Sequence, residues 1–224
     1  MDFDEYYRRR HPNEFDDPTH WWHPRHPVWV AHRQQLERAL LDAIERTGLP
    51  VEELDVLEVG CGTGRHLRYF VEIGAAPKRL YGVDLLNSRL RQAKNMNAAL
   101  GLVRASGAAL PYSDHQFGLV MQLVAFSSIL DHSVRHRAAR EMQRVLQPGG
   151  WILSYDVVKP QPGRVPDGLN EGDVRTLFDN IEWVVVKHLH GRLLPRLARH
   201  PLLAAAAEWL PLPKGNLLMV GRKK

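Results

Sequence analysis

From Leu54 onward, short apolar runs alternate with stretches in which apolar residues recur every three or four positions. That alternation predicts a parallel sheet whose strands are joined by covering helices. The runs predict strands at Leu54–Val59, Leu80–Asp84, Val103–Ala105, Leu119–Val124, Trp151–Asp156, Ile181–His188 and Leu217–Gly221. Several are near-continuous in Val, Leu and Ile, the composition of strands covered on both faces. Helical spacing is predicted over Arg65–Ile73, Ser88–Leu100, Val134–Leu146 and Gly172–Asn180. In the third, Val134, Ala138, Met142, Val145 and Leu146 form one stripe that stops at Pro148-Gly149-Gly150. Asn170 with Asp173 three positions on is a capped start for the fourth.

Two segments stand outside the alternation. Residues 1–27 are rich in aromatics, His and Pro, and a helix with Leu36, Leu40, Ala43 and Ile44 on one face follows, ending at Gly48. We expect residues 1–48 to be an N-terminal aromatic arm and helix acting as a lid, and residues 49–224 to be the main domain. Residues 191–212 are a leucine- and alanine-rich helical insertion broken by Pro195 and Pro201.

Composition narrows the class. With 224 residues, 44% hydrophobic and 25% charged, the chain has the make-up of a soluble globular protein with material for one core. The formal charge of +5 comes from 30 basic residues interleaved with 25 acidic ones along the whole length, so it marks no single nucleic-acid patch. No apolar run approaches the ~20 residues of a membrane span. The first residues lack the apolar stretch of a secretory signal. The lone Cys61 excludes an intramolecular disulfide and suits a reducing, cytoplasmic setting.

The chemistry concentrates in "VLEVGCGTGRHLRYF", residues 56–70. Gly60, Gly62 and Gly64 follow an apolar run and open a helical one, where a ligand can approach backbone N–H groups at a positive helix end. The spacing differs from the G-x-G-x-x-G of dinucleotide sites, since position 65 is Arg. Asp84 closes the next strand and is placed to accept hydrogen bonds from ribose hydroxyls.

Together with "LYGVDLL", "ALPYSDHQFGLV" and "EMQRVLQPGGWIL", this loop resembles the class I S-adenosylmethionine-dependent methyltransferases of the type-11-like group. The resemblance covers residues 51–158 and implies an α/β, Rossmann-like seven-stranded, mostly parallel sheet flanked by helices. The implied strand order is 3-2-1-4-5-7-6 with the last strand antiparallel. It implies that Glu58 orients the loop or meets the methionine amino group, that the three glycines pass close to the cofactor, and that Cys61 fills the turn. Asp84 would hold the ribose, Leu85 would lie on the adenine, and Gln122 would sit near the methionine moiety. The family's acidic adenine contact is replaced by Ser106, which leaves adenine to the backbone around Gly107 and Ala108. The aspartate usual before the fourth strand is Gly118.

For an acceptor that must lose a proton, His132 is the candidate base, with Tyr155 and Asp156 behind it. The alternative is that His132 simply starts a helix. His20, His23 and His26, interleaved with Trp21, Trp22 and Trp29, lack cysteine or carboxylate partners at a metal spacing, and no metal is expected. An aromatic cover over the acceptor is the preferred reading of that run, with surface packing as the alternative.

The resulting expectation is O-methylation of a small natural product or sugar, with no nucleic-acid partner. The alternatives are a methyltransferase acting on RNA or another macromolecule, and an inactive cofactor-binding protein. A nicotinamide oxidoreductase lacks its third glycine here.

Overall fold

The computed structural model describes residues 23, 25–158, 167–189 and 215–224. The aromatic arm through Trp22 and the 191–212 insertion lie outside the described residues, so neither reading is tested. Among the described residues, no helix is long and apolar enough to cross a membrane.

The first described element is α1 (Pro27–Thr47). Its first backbone N–H groups are met by a cap, the His26 ring accepting from Val28 N. It ends where Gly48 takes a left-handed conformation, φ 63°, and its N–H turns back to Glu45 O. Then follow β1 (Val56–Val59), α2 (Arg65–Glu72), β2 (Leu80–Asp84), α3 (Asn87–Met96) and β3 (Gly101–Arg104). The second half contains β4 (Phe117–Leu123), α4 (His132–Val145), β5 (Leu146–Val157), α5 (Glu171–Leu177), β6 (Ile181–Leu189) and β7 (Asn216–Lys223).

The described strands form one sheet of order β3-β2-β1-β4-β5-β7-β6, as expected. The pairs β3/β2, β2/β1, β1/β4 and β4/β5 are parallel, and β7 runs antiparallel to both β5 and β6. Alternate residues of each strand feed opposite faces. Val56, Leu80, Leu119, Met121 and Leu153 pack on one side with α1 (Leu36, Ala39, Leu40) and α2 (Leu67, Phe70). Leu57, Val83, Val120 and Ile152 pack on the other with α4 (Ala138, Met142) and α5 (Val174, Leu177). The described part of the expected 1–48 unit therefore shares its core with the sheet.

Boundaries moved for local reasons. The helix predicted over Ser88–Leu100 ends earlier: α3 stops at Met96 because Asn97 is extended, φ −154°, and its side chain accepts from Ala99 N to make a turn. β3 accordingly begins at Gly101. β1 starts at Val56 rather than Leu54, whose side chain instead fills the space beside Gly118; a Cβ there would sit 2.4 Å from Leu54 Cδ2. That contact explains why position 118 carries no aspartate. Leu146 continues straight into β5, so the Pro148-Gly149-Gly150 stop lies inside the strand.

Candidate cofactor-binding site

The order of strands reverses between β1 and β4, and in an open α/β sheet such a switch point leaves a crevice beyond the carboxyl ends. The glycine loop lies there. Gly60, Gly62 and Gly64 all have positive φ, 76°, 53° and 68°, a region that other L-residues rarely enter. At Gly60 space is also closed: a Cβ would lie 2.6 Å from Ala125 Cβ. Gly60 N and Cys61 N both donate to Val83 O, which ties the loop to the end of β2.

Asp84 is the second anchor. Its Oδ2 accepts from Gly62 N and its Oδ1 from Leu86 N, each at 2.8 Å. One carboxylate thus holds the glycine loop and the start of α3 in register, and each oxygen keeps a further lone pair for a ligand hydroxyl. Leu85, next to it, is 39% exposed, an apolar surface left open at the crevice. Ser106 folds its own turn, with Oγ accepting from Ala108 N at 3.2 Å and its carbonyl from Ala109 N. Gly107 brings that turn against β1, where a Cβ would meet Val59 Cγ1 at 2.8 Å.

Cys61 is buried, and burial pushes its thiol far up, away from the reactive thiolate form. Gln122 is fully buried and engaged inside the fold: Nε2 donates to Ser154 Oγ at 2.8 Å and Oε1 accepts from Ala125 N and Phe126 N. It shapes the loop after β4. That loop is strained, because Val124 has φ 60°, a rare conformation for a β-branched residue.

The three residues expected on the acceptor side do not form one group. His132 is the first residue of α4, after the Asp131 cap; its side chain is 75% exposed, with Nε2 3.5 Å from Asp167. Asp156 is buried, accepts from Ser127 N and Val157 N, and is pushed up to about 6 by burial. Tyr155 accepts from Asn216 Nδ2 and lies 3.3 Å from His32 Nε2. Burial, with the Arg65 charge adding to it, holds His32 down at about 4, so the ring beside the Tyr155 hydroxyl is neutral.

Sequence reasoning passed over Arg65 and His66. Glu58 is fully buried at the end of β1, and its Oε1 is 2.6 Å from His66 Nδ1. Arg65 Nη2 lies 2.7 Å from His66 Nε2. Arginine only donates, so Nε2 must accept, the ring proton is on Nδ1, and Nδ1 donates to Glu58. Burial drives Glu58 well above and His66 well below their ordinary values. Arg65 also lies over the Trp29 ring, 4.7 Å from its centroid. The adjacent "RH" after the glycine loop was the only available signal, and the sequence could not show both side chains turning towards Glu58.

These residues suit S-adenosylmethionine on two observations. Asp84 retains lone pairs beside an open apolar surface, and Glu58 Oε2 is a buried oxygen without a hydrogen-bond partner. The strand order and the glycine loop at its switch point are those of the class I S-adenosylmethionine-dependent methyltransferase fold. Residues 57–154 match the methyltransferase domain family Methyltransf_11.

Among curated proteins, the chain is 31% identical over 111 residues to the ubiquinone/menaquinone biosynthesis C-methyltransferase UbiE of Hahella chejuensis, covering 47% of this chain and 43% of that protein. It is 36% identical over 97 residues to the malonyl-[acyl-carrier protein] O-methyltransferase of Pseudescherichia vulneris, covering 43% and 36%. The matched stretch spans less than half the length of these relatives. Among solved structures, the fold is similar to the PH0226 protein of Pyrococcus horikoshii, with a TM-score of 0.65 at 15% identity over 98% of this chain and 99% of that one.

Proposed function

We propose that the protein transfers a methyl group from S-adenosylmethionine to a small-molecule acceptor, with oxygen as the atom methylated. The observation that carries the reading is Asp84 bonded at once to Gly62 N and Leu86 N, in a loop of three positive-φ glycines. When bound, the cofactor supplies a methyl group on a positively charged sulfur. Asp84 would hold the ribose hydroxyls, Leu85 would cover one face of the adenine, and the Ser106–Ala108 turn would border its edge. The protein's remaining contribution is to align the acceptor and exclude water.

The proton is the telling part. Both His66 nitrogens are engaged, His32 is held near 4 against the Tyr155 hydroxyl, and Asp156 accepts from two backbone N–H groups. Among the described residues of the crevice these arrangements favour an acceptor oxygen that is already ionised in water, such as a carboxylate, an acidic phenol or an enol. A second reading, methylation at carbon, is favoured by the quinone C-methyltransferase among the relatives. A screen with isotope-labelled cofactor tests both, using carboxylic acids, phenols, sugars, quinols and RNA as acceptors. Label transferred to an acid or phenol supports the proposal. Label found only in RNA, or in neutral sugars, contradicts it.

A further inference from the structure

Arg144, next to last in α4, uses all five of its guanidinium N–H donors inside the fold. Nε donates to Glu141 Oε1 at 2.7 Å, and Nη1 to Tyr112 O at 2.9 Å and Asp114 Oδ1 at 2.7 Å. Nη2 donates to Leu110 O at 3.1 Å and to Glu141 Oε2 at 2.9 Å. Leu110, Tyr112 and Asp114 all belong to the loop between β3 and β4, residues 105–116. Glu141 closes the clamp from the same helix, its Oε2 accepting from Leu110 N at 2.8 Å. Leu110 thus has both backbone groups held, and it directly follows the turn closed by Ala109 N on Ser106 O. Further along, His115 has φ 57°, with its N–H on Arg144 O and its ring on Leu146 O. A side-chain-bearing residue keeps such a conformation where its surroundings over-determine it. The Tyr112 ring fixes the middle of the loop, edge-on to Tyr81 and Phe117. Because α4 follows β4 and ends where β5 begins, Arg144 lies at the amino ends of the strands, away from the crevice. It acts on the crevice through the loop.

We propose that Arg144, seated on Glu141, is the positioning residue that sets recognition of the adenine edge. This rests on the methyltransferase reading, in which the Ser106–Ala108 turn borders the adenine. The Ser106 hydroxyl is engaged with Ala108 N, so no long acidic side chain there swings to meet the base and recognition falls to the backbone. A backbone group has no rotamers, and its aim is that of the loop that carries it. One end of the turn is wedged: a Cβ on Gly107 would lie 2.8 Å from Val59 Cγ1 on β1 and 3.6 Å from Ala138 Cβ on α4. The other end is the clamp at Leu110. A lysine, with three donors on one nitrogen, cannot hold the same four acceptor residues at once.

The test is calorimetric titration of the full chain with S-adenosylhomocysteine and S-inosylhomocysteine. The second ligand differs only at the base, where a carbonyl and a ring N–H replace the amino group and a ring acceptor. The wild type should prefer the adenine ligand at least about tenfold, because the altered edge leaves polar groups of the turn unpaired. Arg144→Met keeps the apolar stem and removes all five bonds; it should reduce the preference to about threefold or less by weakening the adenine ligand alone. Arg144→Lys should give an intermediate preference, and it decides the matter if Arg144→Met does not fold. A role in stability alone would weaken both ligands by the same factor, and that result overturns the proposal. So does an unchanged preference in the variants that fold. A wild type that binds the two ligands equally also overturns it and leaves the cofactor reading intact. If the wild type binds neither, the cofactor reading itself fails and takes the proposal with it.

Discussion

Asp84 illustrates how much one side chain does here. Its carboxylate accepts from Gly62 N and Leu86 N, and it is the residue assigned to the ribose. Asp84→Ala should weaken cofactor binding by about 1.5–3 kcal/mol, the range for hydrogen bonds to a charged group, and calorimetry reads this directly. Gly60→Ala acts through the backbone: φ is 76° and the new Cβ would sit 2.6 Å from Ala125 Cβ. Urea unfolding should show a loss of about 1–3 kcal/mol, the cost of a residue held in a sparsely populated conformation. Both residues were legible in the sequence, because a glycine loop and a strand-end aspartate leave a local signature. The partners of Tyr155 leave no local signature in the sequence: Asn216 and His32 reach it from 61 and 123 positions away.

At the scale of elements, the apolar runs located all the described strands, because strands buried on both faces are written as continuous Val, Leu and Ile. Ends were less legible. Gly118 belongs to β4 and yields its space to Leu54, a contact that no local pattern encodes. Caps were readable where the side chain acts within its own turn. At α5, Asn170 Oδ1 accepts from Asp173 N while Asp173 Oδ2 accepts from Asn170 N. Asn170→Ala should cost about 1 kcal/mol of stability by denaturant titration and leave cofactor affinity unchanged, since α5 packs on the face away from Glu58 and Arg65.

Across the whole molecule, charge burial ties α1 to the cofactor loop. His32 on α1 is kept neutral by burial and by Arg65 on α2, with Tyr155 on β5 and His66 on α2 as its other titratable neighbours. Its folded value near 4 lies below the ordinary 6.5, so the unfolded chain binds the proton first as pH falls. The stability this ring permits is complete above about pH 6.5 and is lost down to about pH 4. His32→Gln keeps a partner for Tyr155 but cannot titrate. Wild-type stability relative to this variant should therefore fall by up to about 3 kcal/mol between pH 7 and pH 4, followed by urea unfolding at each pH. A difference that stays flat with pH would mean that the ring is not held neutral. This coupling could not be read from sequence, because it joins three elements whose proximity exists only in the fold.

The central claim is that the loop from Gly60 to Gly64 and Asp84 hold S-adenosylmethionine, and titration of the purified chain with that cofactor and with NAD tests it most directly. The account predicts saturable binding of S-adenosylmethionine and of its demethylated product, with no binding of NAD, because Arg65 stands where a dinucleotide loop has its third glycine. Binding of NAD without binding of S-adenosylmethionine would contradict it.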